Sequence, residues 1–347
     1  MGVTESFECN QITGKDIKLK EGGNVSKPPS NHGENHMLID SLIIGKQKHT
    51  PIEIKIEDRD KWLELRKSDV TGTEVSILFN NHYNLDLFTY WHQKRGELQS
   101  TFEDTNLTFW GRNNEEAIAR GIYELEKWEE EGFELKKATS YYRHPSIKGS
   151  GATLDYILHH AHHDFNIALE IKNVSEIAFK TLWMRHDKQS PPLYYEWQLQ
   201  QQLSVTGFNV GIIACLIGGN QHHIFIRQRN ERAIAALERK IPEFWAMGEP
   251  NINLYDMPES TLKSLYKPSG AVLDLTGDLE ADYWFTVYEN RKKEQKEAEK
   301  NMEYAKIQLL KIMSTASRIR CGEHIMTRLE NDTIKITKQR QKLELSI

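Results

Sequence analysis

Cysteine is scarce in this sequence. Cys9, Cys215 and Cys321 are the only three, and they are widely separated and odd in number. They predict neither a disulfide framework nor a metal knuckle, so we expect a reducing, cytoplasmic setting. Long apolar runs are missing as well, because the longest, near residues 210–217, falls far short of the ~18–20 residues that a membrane span needs. With no basic stretch followed by an apolar one at the N-terminus, we expect a protein that is neither membrane-embedded nor secreted.

An excess of positive charge is also absent. The 45 basic and 50 acidic residues leave a net charge of -5. Proteins that coat nucleic acid through bulk charge are usually basic, so this class is disfavoured. A nuclease stays possible, because its site gathers carboxylates around a metal and only its groove must be positive. The 38% hydrophobic and 10% aromatic residues in a chain of 347 indicate a folded protein with a sizeable core.

The chain divides into three parts. Residues 1–56 are rich in Gly, Pro, Asn and Ser without sustained periodicity, which predicts a loosely ordered arm with one strand-like stretch at 37–44. Residues 57–250 alternate helix and strand signals and predict an α/β or α+β domain. Residues 251–347 predict a C-terminal extension, with a long charged helix at 288–313 and a small β-hairpin near 324–337.

Within residues 57–250 the pattern predicts a helix, a strand pair, a second helix and a second strand pair. Asn113 is expected to precede the first helix, which has Glu115 in its first turn and an apolar face that extends to Trp128. The second helix is expected at 193–205, crossing the sheet. The expected strands are 153–158, 167–174, 210–217 and 222–227, with a hairpin at 218–221.

Two carboxylates and a lysine are expected to meet on the first strand pair. Asp155 is followed fifteen positions later by Glu170-Ile171-Lys172. On adjacent strands, alternation would place Glu170 and Lys172 on one face and Ile171 in the core. The two carboxylates and the Ile171 carbonyl suit Mg²⁺, while Lys172 could orient or help deprotonate a water that attacks a phosphodiester. Alternatively, Asp155 is a solvated strand residue and Glu170 forms a surface ion pair with Lys172, since this motif also arises by chance.

Two neighbouring features extend this pattern. Glu115 follows Gly111-Arg112-Asn113-Asn114, where it could supply a third carboxylate or simply favour the helix dipole. Gln198 and the run Gln200-Gln201-Gln202 follow Tyr194-Tyr195 on the crossing helix, where glutamines usually form a solvated face.

The order of these motifs resembles that of the YqaJ-type viral recombinases, relatives of the lambda exonuclease within the restriction-endonuclease-like PD-(D/E)xK nucleases. The resemblance covers roughly residues 62–245. Two positions depart from the usual pattern: Leu154-Asp155-Tyr156 replaces Pro-Asp-Gly, and Thr73 replaces a serine. The motifs that carry the resemblance are Trp62-Leu63-Glu64-Leu65-Arg66, Val70-Thr71-Gly72-Thr73-Glu74-Val75, Gly111 to Glu115, Asp155, Glu170-x-Lys172 and the segment from Tyr195 to Gly207.

The resemblance implies a restriction-endonuclease-like core with a mixed central sheet flanked by helices. It implies a Mg²⁺-dependent exonuclease, with Mn²⁺ as a substitute, that resects double-stranded DNA ends 5′ to 3′ for phage-type recombination in a bacterial or phage-infected cell. A single-strand annealing recombinase would be its partner. Because relatives close into rings around DNA, the resemblance also implies a homo-oligomer, most simply a trimer.

The resemblance also assigns roles to individual residues. The 5′ phosphate would be contacted by Arg66 and Thr73. The catalytic roles are metal binding by Glu115, Asp155, Glu170 and the Ile171 carbonyl, service to the hydrolytic water by Lys172, and support of the site by Gln198. Two other classes stay open: an endonuclease of restriction or repair type on the same core, and a catalytically idle DNA-end or protein-binding module, which would be expected to have lost a carboxylate.

Three further features have competing interpretations. The cluster His159-His160-x-His162-His163 could bind zinc or nickel or contact a phosphate, but a polar connection between strands is the simpler expectation. The basic residues Arg227, Arg229 and Arg232 either face DNA, as in the channel of a ring, or form an exposed cluster at a strand end. The long helix at 288–313 could be a solvated spacer, a self-association element or a docking site for the annealing partner.

Overall fold

The computed structural model describes residues 46–99, 105–185, 188–252, 258–331 and 333–338. The strand expected at 37–44 therefore lies outside the described residues. The chain separates into two compact units that divide between Lys267 and Pro268. No helix in the described ranges is long and apolar enough to cross a membrane. Cys215 and Cys321 are both free thiols.

The helices and strands alternate through the first unit. The helices are α1 (Arg59–Ser68), α2 (Leu87–Lys94), α3 (Asn106–Leu125), α4 (Glu176–Ala178), α5 (Leu193–Thr206), α6 (Glu231–Ala246), α7 (Glu259–Leu265) and, in the second unit, α8 (Leu279–Met313). The strands of the first unit are β1 (Ile52–Lys55), β2 (Phe133–Lys137), β3 (Ser140–Arg143), β4 (Gly151–Ala152), β5 (Tyr156–His160), β6 (Phe165–Val174), β7 (Met184–Arg185), β8 (Lys188–Gln189), β9 (Val210–Ile217) and β10 (Gln221–Gln228). The strands of the second unit are β11 (Arg318–Cys321), β12 (His324–Arg328) and β13 (Ile334–Lys338).

A five-stranded mixed sheet in the order β10-β9-β6-β5-β2 forms the centre of the first unit. Only β6 and β9 run parallel, with Glu170 opposite Ile213, and the other neighbours are antiparallel. Parallel neighbours need a crossover connection, and α5 lies between β6 and β9 in the chain. The mixed α/β fold with a helix between two strand pairs is thus confirmed.

Each face of this sheet carries a separate apolar core. Alternation along β6 directs Ala168 to the core that contains Leu199 and Leu203 of α5. Leu169 and Ile171 enter the opposite core, which contains residues of α3. Glu170 therefore lies on the α5 side, between two apolar layers that exclude water.

The N-terminal arm is shorter than the sequence suggested, because its last described residues belong to the body. Strand β1 pairs with β3 along its whole length, and β3 pairs with β4 in a second sheet. The side chain of Gln47 donates to the carbonyl of Thr206 (2.6 Å), and the amide of Lys48 donates to the carbonyl of Gly207 (2.8 Å). The segment around β1 lacked periodicity in the sequence because only four residues form this strand.

Gly207 allows this contact with the end of α5. It ends the helix in the left-handed region (φ 75°), which a residue without a Cβ adopts readily. A Cβ placed here would lie 2.4 Å from the carbonyl oxygen of His49. The glycine therefore terminates the crossing helix and also makes room for the incoming chain.

Helix α3 starts earlier than predicted, because the sequence placed its start after Asn113. It begins at Asn106, where the Thr105 hydroxyl accepts from the amide of Thr108 (3.2 Å). Asn113 fits inside the helix because its side chain donates to the carbonyl of Phe109, one turn earlier (2.8 Å). Glu115 is consequently not a first-turn residue, and Trp128 lies beyond the helix end, which is at Leu125.

The strand predicted at 153–158 does not form over that range. The sequence 151–160 forms β4 and β5 with a break between them, and Asp155 is the residue immediately before β5. Strand β2, which was not predicted, pairs with β5 at the sheet edge. The strands expected at 167–174, 210–217 and 222–227 are confirmed as β6, β9 and β10.

The C-terminal part contains more regular structure than predicted. Helix α8 starts at Leu279, where Asp278 caps it by accepting from the amide of Ala281 (2.8 Å). The predicted hairpin corresponds to β12 and β13, and β11 adds a third strand. In the first unit, the Thr261 hydroxyl of α7 bonds to the Thr89 hydroxyl of α2 (2.8 Å), so residues beyond 250 also contact the main body.

Candidate active site

Asp155 and Glu170 meet where β5 begins beside β6. The pairing of Tyr156 with Leu169 continues one step to place Asp155 opposite Glu170. Asp155 Oδ2 accepts a hydrogen bond from the backbone amide of Ile171 (2.8 Å). Burial and then the Glu170 charge raise the pKa of Asp155 well above its usual value, although Lys172 opposes this shift. Two carboxylates thus share a site that holds negative charge only at a high electrostatic cost.

Lys172 and two glutamines surround the carboxylate of Glu170. Oε1 accepts from the Lys172 ammonium and from the Gln198 side-chain amide. Oε2 accepts from the amide of Gln202 (2.6 Å), which also donates to the carbonyl of Thr153 (3.0 Å). The predicted placement of Glu170 and Lys172 on one face, with Ile171 in the core, is therefore confirmed. The interpretation as a surface ion pair is wrong, because Glu170 is only 3% exposed.

Lys172 is held as a cation at this position. Burial by itself would lower its pKa, but Glu170, Tyr195 and Asp155 together outweigh burial, and the pKa is raised above its usual value. Its ammonium also lies 4.7 Å from the centre of the Tyr195 ring, within the range of a cation–π contact. The geometry favours an orienting and charge-neutralising lysine over one that removes a proton.

Glu115 approaches the same region from α3. It precedes the buried residues Ile118, Ala119 and Ile122 by three, four and seven positions, so it lies on the helix face that packs against the sheet. Burial raises the pKa of Glu115. The Lys137 ammonium, whose Nζ lies 3.9 Å from Oε1 of Glu115, opposes this rise, and the Glu170 charge increases it. The adjacent Glu116 points outward and pairs with Arg120 instead (2.7 Å).

The buried glutamines are the main feature that the sequence interpretation missed. All four from Gln198 to Gln202 are buried rather than solvated. Gln202 Oε1 is buried without a hydrogen-bond partner among the described residues, although the amide nitrogen of the same side chain bonds to Glu170. Gln202 lies four residues after Gln198, and this one-turn spacing is the signal that could have identified it as a second partner of Glu170.

Arg66 and Thr73 also lie together, at the end of α1 and in the turn that follows it. Nη2 of Arg66 donates to the Thr73 hydroxyl (2.9 Å) and to Glu74 Oε1 (3.0 Å). The guanidinium also stacks on Trp62, at 4.7 Å from the ring centre. In the described part of the chain only Nη2 of this guanidinium has hydrogen-bond partners, so Nε and Nη1 remain as donors.

Glu74 organises this second cluster and was not singled out by the sequence. It accepts from the buried ammonium of Lys94 (3.0 Å) and from the Thr71 hydroxyl (2.8 Å). Burial alone would raise its pKa, but Arg66 and Lys94 lower the pKa of Glu74 to about 2. A permanently charged carboxylate therefore fixes the orientation of Arg66.

Gly72 connects the two clusters. A Cβ at this position would lie 3.2 Å from both Cγ and the carbonyl oxygen of Gln198. The turn that carries Thr73 is thus packed directly on the helix residue that holds Glu170. The Arg66 cluster and the carboxylate cluster are neighbours as a result.

Several other predicted residues make contacts within the fold, whereas Arg232, His162 and His163 are exposed. Arg227 pairs with Glu196 (2.8 Å), and Arg229 donates to the carbonyl of Leu203 (2.5 Å), so neither belongs to an exposed basic cluster. His159 bonds to Asn166 across the hairpin (3.0 Å). The His160 ring packs face to face with Phe165 at 5.1 Å.

No three His, Cys, Asp or Glu side chains in the described ranges are already arranged to hold a metal ion. In the carboxylate cluster, both Glu170 oxygens accept from nitrogen donors instead. The donor set nevertheless fits a hard cation. Burial and, after it, the charge of Glu170 raise the pKa of both Asp155 and Glu115, and a divalent charge would relieve this repulsion.

Comparison with known proteins finds similarity over this region. Residues 61–209 match the YqaJ-like viral recombinase domain. An uncharacterized protein called YqaJ from Bacillus subtilis (strain 168) is 25% identical over 189 residues, which cover 54% of this chain and 55% of that protein. The chain therefore spans about half the length of this relative.

Solved structures of an alkaline exonuclease, LHK-Exo, from Laribacter hongkongensis are also similar to this chain. The complex with dAMP is 21% identical and covers 54% of this chain and 91% of its own, with a TM-score of 0.41. A second structure of the same exonuclease has the same identity and coverage and a TM-score of 0.40.

Proposed function

We propose that this YqaJ-like protein is a Mg²⁺-dependent exonuclease that resects double-stranded DNA ends in recombination. The observation that carries the proposal is the meeting of the buried Glu170 with Asp155 and Lys172, at the point where β5 pairs with β6. Carboxylates are seldom buried together without a function, because each raises the cost of charging the other.

The proposed roles follow from the contacts of each residue. Asp155, Glu170 and Glu115, with the Ile171 carbonyl, would hold Mg²⁺, or Mn²⁺ in its place. A divalent cation there would stabilise the negative charge that develops on the phosphate. Lys172 would orient the attacking water as a fixed cation.

Two glutamines would keep the metal-binding carboxylate in place. Gln198 and Gln202 hold Glu170 from α5, so that its position does not depend on solvent. The unpartnered Oε1 of Gln202 would accept a hydrogen bond from a water at the site.

We propose 5′-to-3′ polarity from the neighbouring Arg66 cluster. Arg66 has free donors on Nε and Nη1, and its orientation is fixed by Glu74 and Trp62. A preorganised guanidinium suits a terminal phosphate dianion, and the Thr73 hydroxyl could add a contact. Because Gly72 packs on Gln198, a phosphate at Arg66 would lie beside the carboxylates that would hold the metal for hydrolysis of the DNA strand.

The assembly is part of the same proposal. The formal charge of -5 gives the chain little long-range hold on DNA, so a ring-shaped homo-oligomer, most simply a trimer, would prevent dissociation by steric closure. A single-strand annealing recombinase would receive the resected strand. The exposed aromatic residues at the start of α8, Tyr283, Trp284 and Phe285, are candidates for contacts with such a partner. Light scattering should give a mass near a multiple of 40.4 kDa.

Digestion of linear and of covalently closed plasmid in Mg²⁺ tests the nuclease activity. We expect the linear form alone to be degraded, no degradation in excess EDTA, and a loss of orders of magnitude in rate for Asp155→Asn and for Lys172→Met. Glu116→Gln is the matched control, because this exposed acid neighbours Glu115 but faces outward.

The same assay separates the alternatives. Cutting of the closed plasmid would indicate an endonuclease of restriction or repair type. Binding of DNA ends, with neither plasmid form cut in Mg²⁺ or in Mn²⁺, would indicate the catalytically idle module. Full activity of Asp155→Asn would overturn the assignment of the site.

A further inference from the structure

A continuous row of rings lies beside the candidate active site. The rings of His82 and Tyr83 stack with their centres 4.8 Å apart, and Tyr83 contacts Tyr194 at 5.4 Å. Tyr194 in turn meets Tyr195 at 4.4 Å. The row joins the loop before α2 to the first turn of α5, two segments far apart in the sequence.

Each end of this aromatic row lies next to one of the two proposed phosphate sites. At one end, the His82 ring interacts with the backbone of Thr73, beside Arg66. At the other end, the Tyr195 ring lies under the ammonium of Lys172. A nucleotide with its 5′ phosphate at Arg66 and its 3′ phosphate at the carboxylates would therefore extend along the row.

The ring of Tyr83 is not part of the apolar core. Tyr83 is 73% exposed, although a tyrosine commonly buries most of its ring. The packing of this region is provided by Phe79 and Trp197, whose rings stack at 3.8 Å and nearly parallel (8°). An aromatic ring as exposed as that of Tyr83 presents surface to a ligand.

We propose that Tyr83 and Tyr194 form a stacking platform for the nucleobase of the terminal nucleotide, between its two phosphates. This inference rests on the proposed function, because it takes the phosphate positions from it. Every base presents a π-face to an aromatic side chain, so the platform would bind any base with little sequence preference. It would place the terminal nucleotide in register, so that its 3′ phosphate lies at Asp155 and Glu170.

Fluorescence of 2-aminopurine tests the platform without catalysis. A short 5′-phosphorylated single strand carries 2-aminopurine at its first position, and the full chain is added in Ca²⁺ so that binding is followed without cutting. We expect quenching at the first position and much less when the probe is placed at the sixth. Tyr83→Ala and Tyr194→Ala should lose this quenching and bind about tenfold more weakly.

Matched variants and ligands distinguish stacking from a general loss of structure. Tyr83→Phe keeps the ring and should behave like the unmodified protein. Tyr266→Ala removes a tyrosine that is similarly exposed (63%) but lies outside the aromatic row, and it should change nothing. A strand with an abasic first residue should bind the unmodified protein about tenfold more weakly, with no further loss in Tyr83→Ala.

The results also separate this inference from the nuclease proposal. The platform is overturned if Tyr83→Ala quenches and binds like the unmodified protein, or if the abasic strand binds as well as the complete one. If linear DNA is not degraded but base-dependent binding persists, the platform stands and the catalytic proposal fails. If linear DNA is degraded and Tyr83→Ala binds normally, the catalytic proposal stands and the platform fails.

Discussion

Gln202 donates its side-chain amide to Oε2 of Glu170 at 2.6 Å, one helical turn after Gln198 donates to Oε1 of the same carboxylate. Two neutral donors on one helix therefore fix both oxygens of the central acid. Because an amide donor does not cancel the charge of a carboxylate, the two glutamines fix the orientation of Glu170 without neutralising it.

Replacing Gln202 should consequently affect catalysis more than folding. We expect Gln202→Ala to reduce the rate of DNA hydrolysis by about 10- to 100-fold and to raise the Mg²⁺ concentration needed for half-maximal rate. Gln200→Ala is the matched control, because this equally buried glutamine bonds to Gln228 and Asn230, away from the carboxylates. Equal Mg²⁺ dependence in the two variants would contradict a role for Gln202 at the site.

Arg66 should control the preference for phosphorylated ends. We expect Arg66→Ala to reduce the preference for 5′-phosphate over 5′-hydroxyl ends by about 10- to 100-fold, since a hydrogen bond to a charged group contributes about 1.5–3 kcal/mol. The measurement is the ratio of initial rates on the two kinds of end. Arg232→Ala, which removes an arginine at the start of α6, is the control and should leave the ratio unchanged. If the unmodified protein cuts both ends equally, the assignment of Arg66 is wrong.

The core of the site was predictable because it depends on local periodicity. Alternation along one strand is sufficient to place Glu170 and Lys172 together and Ile171 in the core. The start of α3 was not predictable in this way, because Asn113 is a helix-start signal in the sequence and only its bond to the Phe109 carbonyl makes it a helix-interior residue.

Tertiary partners explain the other differences. The sequence shows a positive charge at Arg227, but only the fold shows that Glu196 neutralises it. The glutamines of α5 look solvated on composition, yet Gln201 lies in the interior and donates to the Ser150 hydroxyl (3.0 Å). Contacts between residues 31 and 51 positions apart leave no pattern in a single sequence.

The Glu74 cluster should make stability depend on pH in the acid range. The folded pKa of about 2 lies below the ordinary value of 4.5, so the folded state binds fewer protons than the unfolded state between these values. The stabilisation is fully present above about pH 4.5 and is lost as pH falls through about 2. It corresponds to roughly 3 kcal/mol of the free energy of unfolding.

Urea unfolding of the unmodified protein and of Glu74→Gln between pH 7 and pH 3 measures this contribution. At pH 7, Glu74→Gln should be less stable by about 3–5 kcal/mol, because Lys94 is left buried without its counter-charge. The difference between the two proteins should shrink as the pH falls. A difference that is constant from pH 7 to pH 3 would mean that Glu74 is not the titrating group.

The boundary of the N-terminal arm should be visible in truncated chains. Residues 46–55 contribute β1 and the contacts of Gln47 and Lys48 with the end of α5, next to the helix turns that carry Gln198 and Gln202. We expect a chain that starts at Lys46 to keep the thermal midpoint and nuclease activity of the full chain. A chain that starts at Ile56 should unfold several degrees lower, because β3 loses one of its two neighbours and the carbonyls of Thr206 and Gly207 lose their donors. Equal midpoints for the two truncated chains would show that β1 contributes nothing to the body.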